Sequence, residues 1–267
     1  MHSQSTVAEV LALRDAGLGP RRISKRTSLP VGTVRDWLAG RLPRHSRAID
    51  PSVPIPTACP SCGHAEHRFD ELPREYAYLL GLYLGDGCIS EHARDVFRLR
   101  IFLDLRYPQI VEDCVAAIAA VAPENKIGRL ERWSHYIQGD EPSHVEVSSY
   151  AKLWPCLVPQ HGPGRKHERR IQLADWQRTI VDRWPDQLLR GLIHSDGCRF
   201  INTGRGNWVC PRYSFNNKSE DICEIFEDAC DRLGLHWTVA RYSTNTNIYV
   251  SRKADVAKLD EFIGPKR

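Results

Sequence analysis

The chain has no apolar run long enough to cross a bilayer, no leader-like hydrophobic segment, no paired cysteine framework and little surplus charge of either sign. A membrane span needs about 20 consecutive apolar residues, so none is expected. Nine scattered cysteines, an odd number, argue against a secreted disulfide scaffold. With no signal peptide to be seen, they point to a reducing cytoplasm, where most of the thiols would serve as core filler. A net charge of +4 over 267 residues is weak for a nucleic-acid binder until it is divided along the chain. Residues 1 to 50 hold nine Lys or Arg against four Asp or Glu, a net +5, which leaves −1 for the remainder. The length suits one sizeable core with a small appended domain.

What is present is a repeat. Leu79-Leu80-Gly81-Leu82-Tyr83-Leu84-Gly85-Asp86-Gly87-Cys88 returns 110 positions later as Leu189-Arg190-Gly191-Leu192-Ile193-His194-Ser195-Asp196-Gly197-Cys198, with six positions identical. Residues four apart share a helix face, so Gly81 with Gly85, and Gly191 with Ser195, form small faces on which two backbones can approach closely. Gly87 and Gly197 read as glycines just past a helix end. That places Asp86 and Asp196 at carbonyl termini, where the helix dipole disfavours an anion. Two carboxylates brought together there would repel each other unless cations lay between them. The plain alternative is a polar helix terminus at the surface; recurrence at one place in both copies favours a metal site.

Residues 1–45 read as a separate module. Thr6 and Glu9 form a capping box for a helix ending near Gly17, a second short helix from Arg21 to Arg26 turns Ile23 inward, and Ser28-Leu29-Pro30 makes a turn. A third helix from Gly32 to Leu38 would bury Val34, Trp37 and Leu38 and present Thr33, Arg35 and Asp36. This pattern resembles a helix-turn-helix whose last helix reads DNA through Arg35, with Lys25, Arg26, Arg41 and Arg44 placed for phosphates. A structural three-helix cap would show the same pattern.

Pro43, Pro51, Pro54, Pro56 and Pro60 would break any regular element between about Leu42 and Asp70, and residues 46–70 read as a proline-rich linker. Within it Cys59-Pro60-Ser61-Cys62-Gly63 is a metal knuckle, and His64 and His67 could complete a zinc site. A turn carrying two free thiols is the alternative, since no second cysteine pair follows.

From residue 71 to 267 the elements repeat in order. Phe97, Leu99, Ile101 and Leu103 alternate with Arg98 and Arg100, which describes a half-buried strand with a basic outer face suited to a DNA groove. Pro108 to Val121 reads as a helix, Val145 to Val147 as a strand, and Tyr150 to Leu157 as a helix. In the second half Arg212 to Phe215 is a strand, Ser219 to Leu233 a helix stopped at Gly234, Trp237 to Arg241 and Ile248 to Val250 strands, and a last helix follows. Val147-Ser148 is matched with Val250-Ser251. The expectation is an α+β fold: a pseudo-twofold duplicated αββαββα core with two antiparallel sheets, plus the small all-α head. Arg98, Arg100, Lys126, Arg129, Arg212, Lys218, Arg241 and Arg252 are candidate DNA contacts, although for any one of them a solvated face is the simpler account. Residues 162–170 read as an exposed connector that could also touch phosphate.

The two motif copies and their spacing resemble the LAGLIDADG homing endonuclease family in its single-chain, two-motif form, over about Leu72 to Gly264. The resemblance implies that the motif helices form the pseudo-twofold interface, that Asp86 and Asp196 are the catalytic acids binding two Mg²⁺ ions beside the scissile phosphates, and that double-stranded DNA is the partner. It further implies a monomer with internal symmetry and a lysine near each site; Lys126 and Lys218 are candidates. Gly85 and Ser195 stand where the family commonly has Ala, and His194 replaces an apolar residue. An intein is not expected, because the chain starts with Met and lacks a terminal His-Asn pair. A non-cleaving regulator is the alternative, since a helix-turn-helix on a LAGLIDADG-like core also resembles bacterial sporulation regulators. Loss of the acids would be expected on that route, whereas both are present.

Overall fold

The computed structural model describes residues 4–41, 59, 61–63, 67–133, 141–203, 209–264 and 266. The chain divides into two compact units, Met1–Thr57 and Ala58–Arg267.

In the first unit α1 (Gln4–Asp15), α2 (Pro20–Thr27) and α3 (Val31–Leu38) enclose Val7, Val10, Ile23, Leu29, Val34 and Trp37. Pro20 opens α2 at a position that needs no amide hydrogen. Beyond α1, Leu18 N donates to the Leu13 carbonyl at 3.1 Å, and Gly17 takes the left-handed conformation (φ 81) that this closure requires. Since α1 is already helical at Gln4, Thr6 lies inside its first turn and not at the capping position expected of it. On α3, Arg35 and Asp36 are exposed and Leu38 is half-buried.

The second unit contains the duplication. Its first half runs α4 (Glu75–Asp86), β1 (Gly87–His92), β2 (Val96–Asp104), α5 (Pro108–Val121), β3 (Ile127–Arg132), β4 (His144–Ala151) and α6 (Trp154–Leu157). After α7 (Asp175–Arg183), the second half runs α8 (Pro185–Asp196), β5 (Gly197–Thr203), β6 (Val209–Asn217), α9 (Glu220–Arg232), β7 (Trp237–Arg241), β8 (Thr246–Val250) and α10 (Lys253–Ile263). Each half makes one four-stranded antiparallel sheet, ordered β1-β2-β4-β3 and β5-β6-β8-β7. The fold is therefore α+β, with an αββαββα unit made twice.

Local chemistry accounts for the element ends. Pro108 and Pro185 open α5 and α8, while Ser219 Oγ accepts from Ile222 N to cap α9, which Gly234 ends at φ 64. α4 is buried on every side from Tyr76 to Leu84, the mark of a central helix, and it packs against α8 in one continuous core.

Three expectations for the second unit are corrected. Tyr150 lies in β4, and only Trp154–Leu157 is helical beyond it, because Pro155 can sit in a first turn but would interrupt a longer helix. Gly87 and Gly197 are extended (φ −94 and −108), not left-handed, and each begins a strand directly. They are small because a Cβ would stand 2.5 Å from Tyr83 Cα or 2.7 Å from Ile193 Cα. Finally, Gly87 faces Ile101, which faces Val147, whereas Gly197 faces Phe215, which faces Ile248. Val147 thus corresponds to Ile248 and not to Val250, a shift of two residues that preserves the inward face.

Candidate functional site

The seam between α4 and α8 is set by missing side chains. A Cβ on Gly81 would lie 2.5 Å from the Leu188 carbonyl oxygen and 2.9 Å from Gly191 Cα, so the two backbones touch at this point. One turn further, Gly85 faces Ser195, whose hydroxyl donates back to the Gly191 and Leu192 carbonyls at 3.1 and 3.0 Å. The contact brings Asp196 Oδ2 within 3.0 Å of where a Gly85 side chain would begin. The carboxylates of Asp86 and Asp196 consequently interact across the foot of the seam.

Burial, reinforced by repulsion from Asp196, raises the Asp86 carboxyl from the ordinary 3.8 to about 6. Burial raises Asp196 also, opposed by the amide of Asn217, which donates to Oδ2 at 2.7 Å. The two positions are not equivalent, because the register places Leu103 where the second half has Asn217.

Two lysines that the sequence reading did not select complete the site. Lys166 Nζ donates to the carbonyls of Tyr83, Gly85 and Gly87, the latter two at 2.7 and 2.8 Å. Lys266 Nζ donates to those of Ile193, His194 and Ser195, at 3.2, 2.9 and 2.9 Å. Each ammonium thus closes the carbonyl end of one motif helix, where a cation complements the dipole. Burial lowers Lys166 to about 8 and lowers Lys266 as well, while both aspartates pull the other way. The signal was present in sequence: Gly162-Pro163-Gly164-Arg165-Lys166 has a shorter counterpart in Gly264-Pro265-Lys266. The connector is exposed as expected, except that Lys166 and Arg169 turn inward.

Each carboxylate opens onto its own cavity. Asp196 lines one of about 290 Å³ with Lys166, Asn217 and Lys218; Asp86 lines one of about 260 Å³ with Lys266, Asp104 and Tyr107. Lys218 is therefore beside the site, whereas Lys126, exposed just before β3, lines neither cavity.

His194 serves the scaffold. Its Nε2 lies 2.7 Å from the Ile263 carbonyl and must donate to it, so Nδ1 accepts from Tyr78 Oη at 2.9 Å. Burial holds this imidazole neutral down to about pH 4.

On the outer face of the first sheet, Arg100 stands beside Arg98, whose guanidinium is anchored by the buried Glu146 at 2.5 Å and by Ser148 Oγ at 3.0 Å. Arg212 is the counterpart of Arg98 by register. Arg252 is exposed at the start of α10. Arg129 points the other way, toward Glu112 of α5, and Arg241 stands among Glu220, Glu224 and Glu227. Cys59, Cys62 and His67 converge on one another and line neither carboxylate cavity; His64 lies outside the described residues.

No family model and no curated protein matches the chain. Among solved structures it is similar to mesophilic variants of the homing endonuclease I-DmoI, at 18% identity and a TM-score of 0.46 over 71% of this chain and 94% of that one. I-DmoI in complex with DNA and Ca gives 19% and 0.45 over 71% and 88%. The N-terminal LAGLIDADG domain of DUF199/WhiA gives 14% and 0.44 over 74% and 89%.

Proposed function

We propose that the chain is a site-specific double-strand DNA endonuclease of the LAGLIDADG homing type, dependent on divalent cations held by Asp86 and Asp196. The observation that carries this reading is the meeting of carboxylates from corresponding positions of the two motifs at the foot of a close-packed helix pair, each open to a cavity and each beside a buried ammonium. Both carboxyls are raised even though two lysines face them, so the pair gains from a further cation. Hard oxygen donors suit Mg²⁺ better than a softer ion. Two such ions, once bound, would supply Lewis acidity and a more acidic water for in-line phosphodiester displacement.

The protein's own groups divide the remaining work. Lys166 and Lys266 each spend all three N–H donors on carbonyls and keep no free lone pair, so they act as fixed positive charges beside the phosphates and not as bases. Asn217 holds Asp196 in one orientation. Arg98, Arg100 and Arg212, on the outer sheet faces, would meet the groove, with Lys218 beside the Asp196 cavity and Lys126 and Arg252 as exposed cations for the backbone further out. The three-helix unit, presenting Arg35, would add affinity through linkage.

The test is incubation with a randomised duplex library and Mg²⁺, alongside Asp86→Asn and Asp196→Asn proteins. Cleavage of both strands by the native chain, reduced about 100-fold or more by either substitution, is the expected result. Specific binding with no nicking by any of the three would show a regulator that keeps its carboxylates only as part of the scaffold.

A further inference from the structure

We propose that Cys59, Cys62, His67 and Cys156 form a closed structural zinc centre that fastens the segment entering α4 to α6. The four ligand atoms lie within 4.8 Å of one another, with Cys59 Sγ 3.7 Å from Cys156 Sγ and Cys62 Sγ 3.6 Å from His67 Nε2. A tetrahedron built on zinc bonds of about 2.3 Å to sulfur and about 2.05 Å to nitrogen has edges of about 3.8 Å between sulfurs and about 3.6 Å between sulfur and nitrogen. These two separations match those edges, and 3.7 Å is far beyond a disulfide.

The chain builds this arrangement from both sides. Gly63 N donates to the Cys59 carbonyl at 2.8 Å and Gly63 sits at φ 79, the tight turn that aims two thiols in one direction. The His67 ring stacks on Phe69 at 4.8 Å, and Phe69 stacks on Trp176 at 4.0 Å, which fixes the imidazole so that Nε2 faces the sulfurs. Cys156 arrives from α6, 97 positions away from Cys59, which is why a reading of the knuckle alone looked for its ligands among neighbouring histidines. Three thiolates and one imidazole select zinc over the hard cation proposed for the aspartates, and four protein ligands leave no open position for chemistry. Among the described residues from Cys59 to Leu72 the only regular element is the 3-10 turn Phe69–Glu71. A metal here therefore supplies the cross-link that so short a segment cannot obtain from its own packing.

Full-length protein purified without chelators should contain one equivalent of zinc by elemental analysis, released when an organomercurial titrates the thiols. Cobalt exchanged into the full chain should give a tetrahedral spectrum whose thiolate charge-transfer band reports three sulfurs. Cys156→Ser should lower that band by about a third and weaken zinc retention, Cys156→His should restore retention, and His64→Ala should keep the full equivalent. Metal release should also open residues 58–68 to limited proteolysis. A folded protein that holds no zinc after exposure to excess and dialysis overturns the proposal, as does a native cobalt spectrum showing two thiolates, or loss of zinc on His64→Ala with retention on Cys156→Ser. None of these readouts involves DNA, so they stand apart from the nuclease test.

Discussion

A carboxylate at the carbonyl end of a helix opposes the local field, and this chain places one there twice. Lys166 and Lys266 offset part of the penalty; the rest shows in the Asp86 carboxyl, raised to about 6. The sign of the consequence follows. The folded protein takes up a proton at a higher pH than the unfolded chain, so stability falls as pH rises from about 4 to 6 and stays reduced above that, by at most about 3 kcal/mol and by less to the extent that the carboxyl is solvated. Without divalent metal, Asp86→Asn should therefore melt higher than the native chain at pH 7 and no higher at pH 4, as calorimetry at the two pH values would measure. Added Mg²⁺ should stabilise the native protein increasingly as pH rises through 6, and the Asn variant less. An Asp86→Asn protein that is less stable at pH 7 without metal would mean that the carboxylate is a favourable partner of the lysines and not a strained one.

At the scale of elements, the α4 and α8 pair works because small faces small. The Gly85–Ser195 step is asymmetric, with an empty position on α4 filled by a hydroxymethyl group from α8. Gly85→Ala alone should overpack the seam and cost about 1–3 kcal/mol in thermal or urea unfolding. Gly85→Ala combined with Ser195→Gly should recover most of that loss, since the volume merely changes sides. Equal, additive losses would show that the two positions do not share one space. The glycines after each aspartate follow the same logic: a tight approach to Tyr83 or Ile193, and not backbone handedness, excludes a side chain.

At the scale of the molecule, two units with separate cores imply separable roles. The fragment from residue 58 to 267 should fold by itself and keep metal-dependent cleavage, while binding its DNA more weakly and with a shallower dependence on salt, because the removed unit carries the surplus cations. Binding titrations at several salt concentrations measure both slopes. An unchanged slope would remove the three-helix unit from the DNA interface.

How much of this was legible depends on how far apart the interacting residues stand. The motif helices, the inward alternation of β2, the capped α9 and the exposed Arg35 face are local patterns, and the recurrence of one motif announced a symmetric pair. The strands β1 and β5 were not, because each begins directly at a glycine read as a helix stop, and Cys88-Ile89-Ser90-Glu91-His92 carries too few apolar residues to mark an inward face.

The sequence alone determined the duplication, the helix pair and the two carboxylates, since periodicity and identity over ten residues are enough to specify them. Only the tertiary structure decided that Lys166 and Lys266 close the motif helices, that Asn217 has no counterpart across the pseudo-twofold, and that Cys156 joins Cys59, Cys62 and His67. Lys166 stands 80 positions from Asp86, and Cys156 stands 97 from Cys59. No periodic signal spans such distances; the path of the chain around its core sets which side chains meet, and that path is fixed by packing.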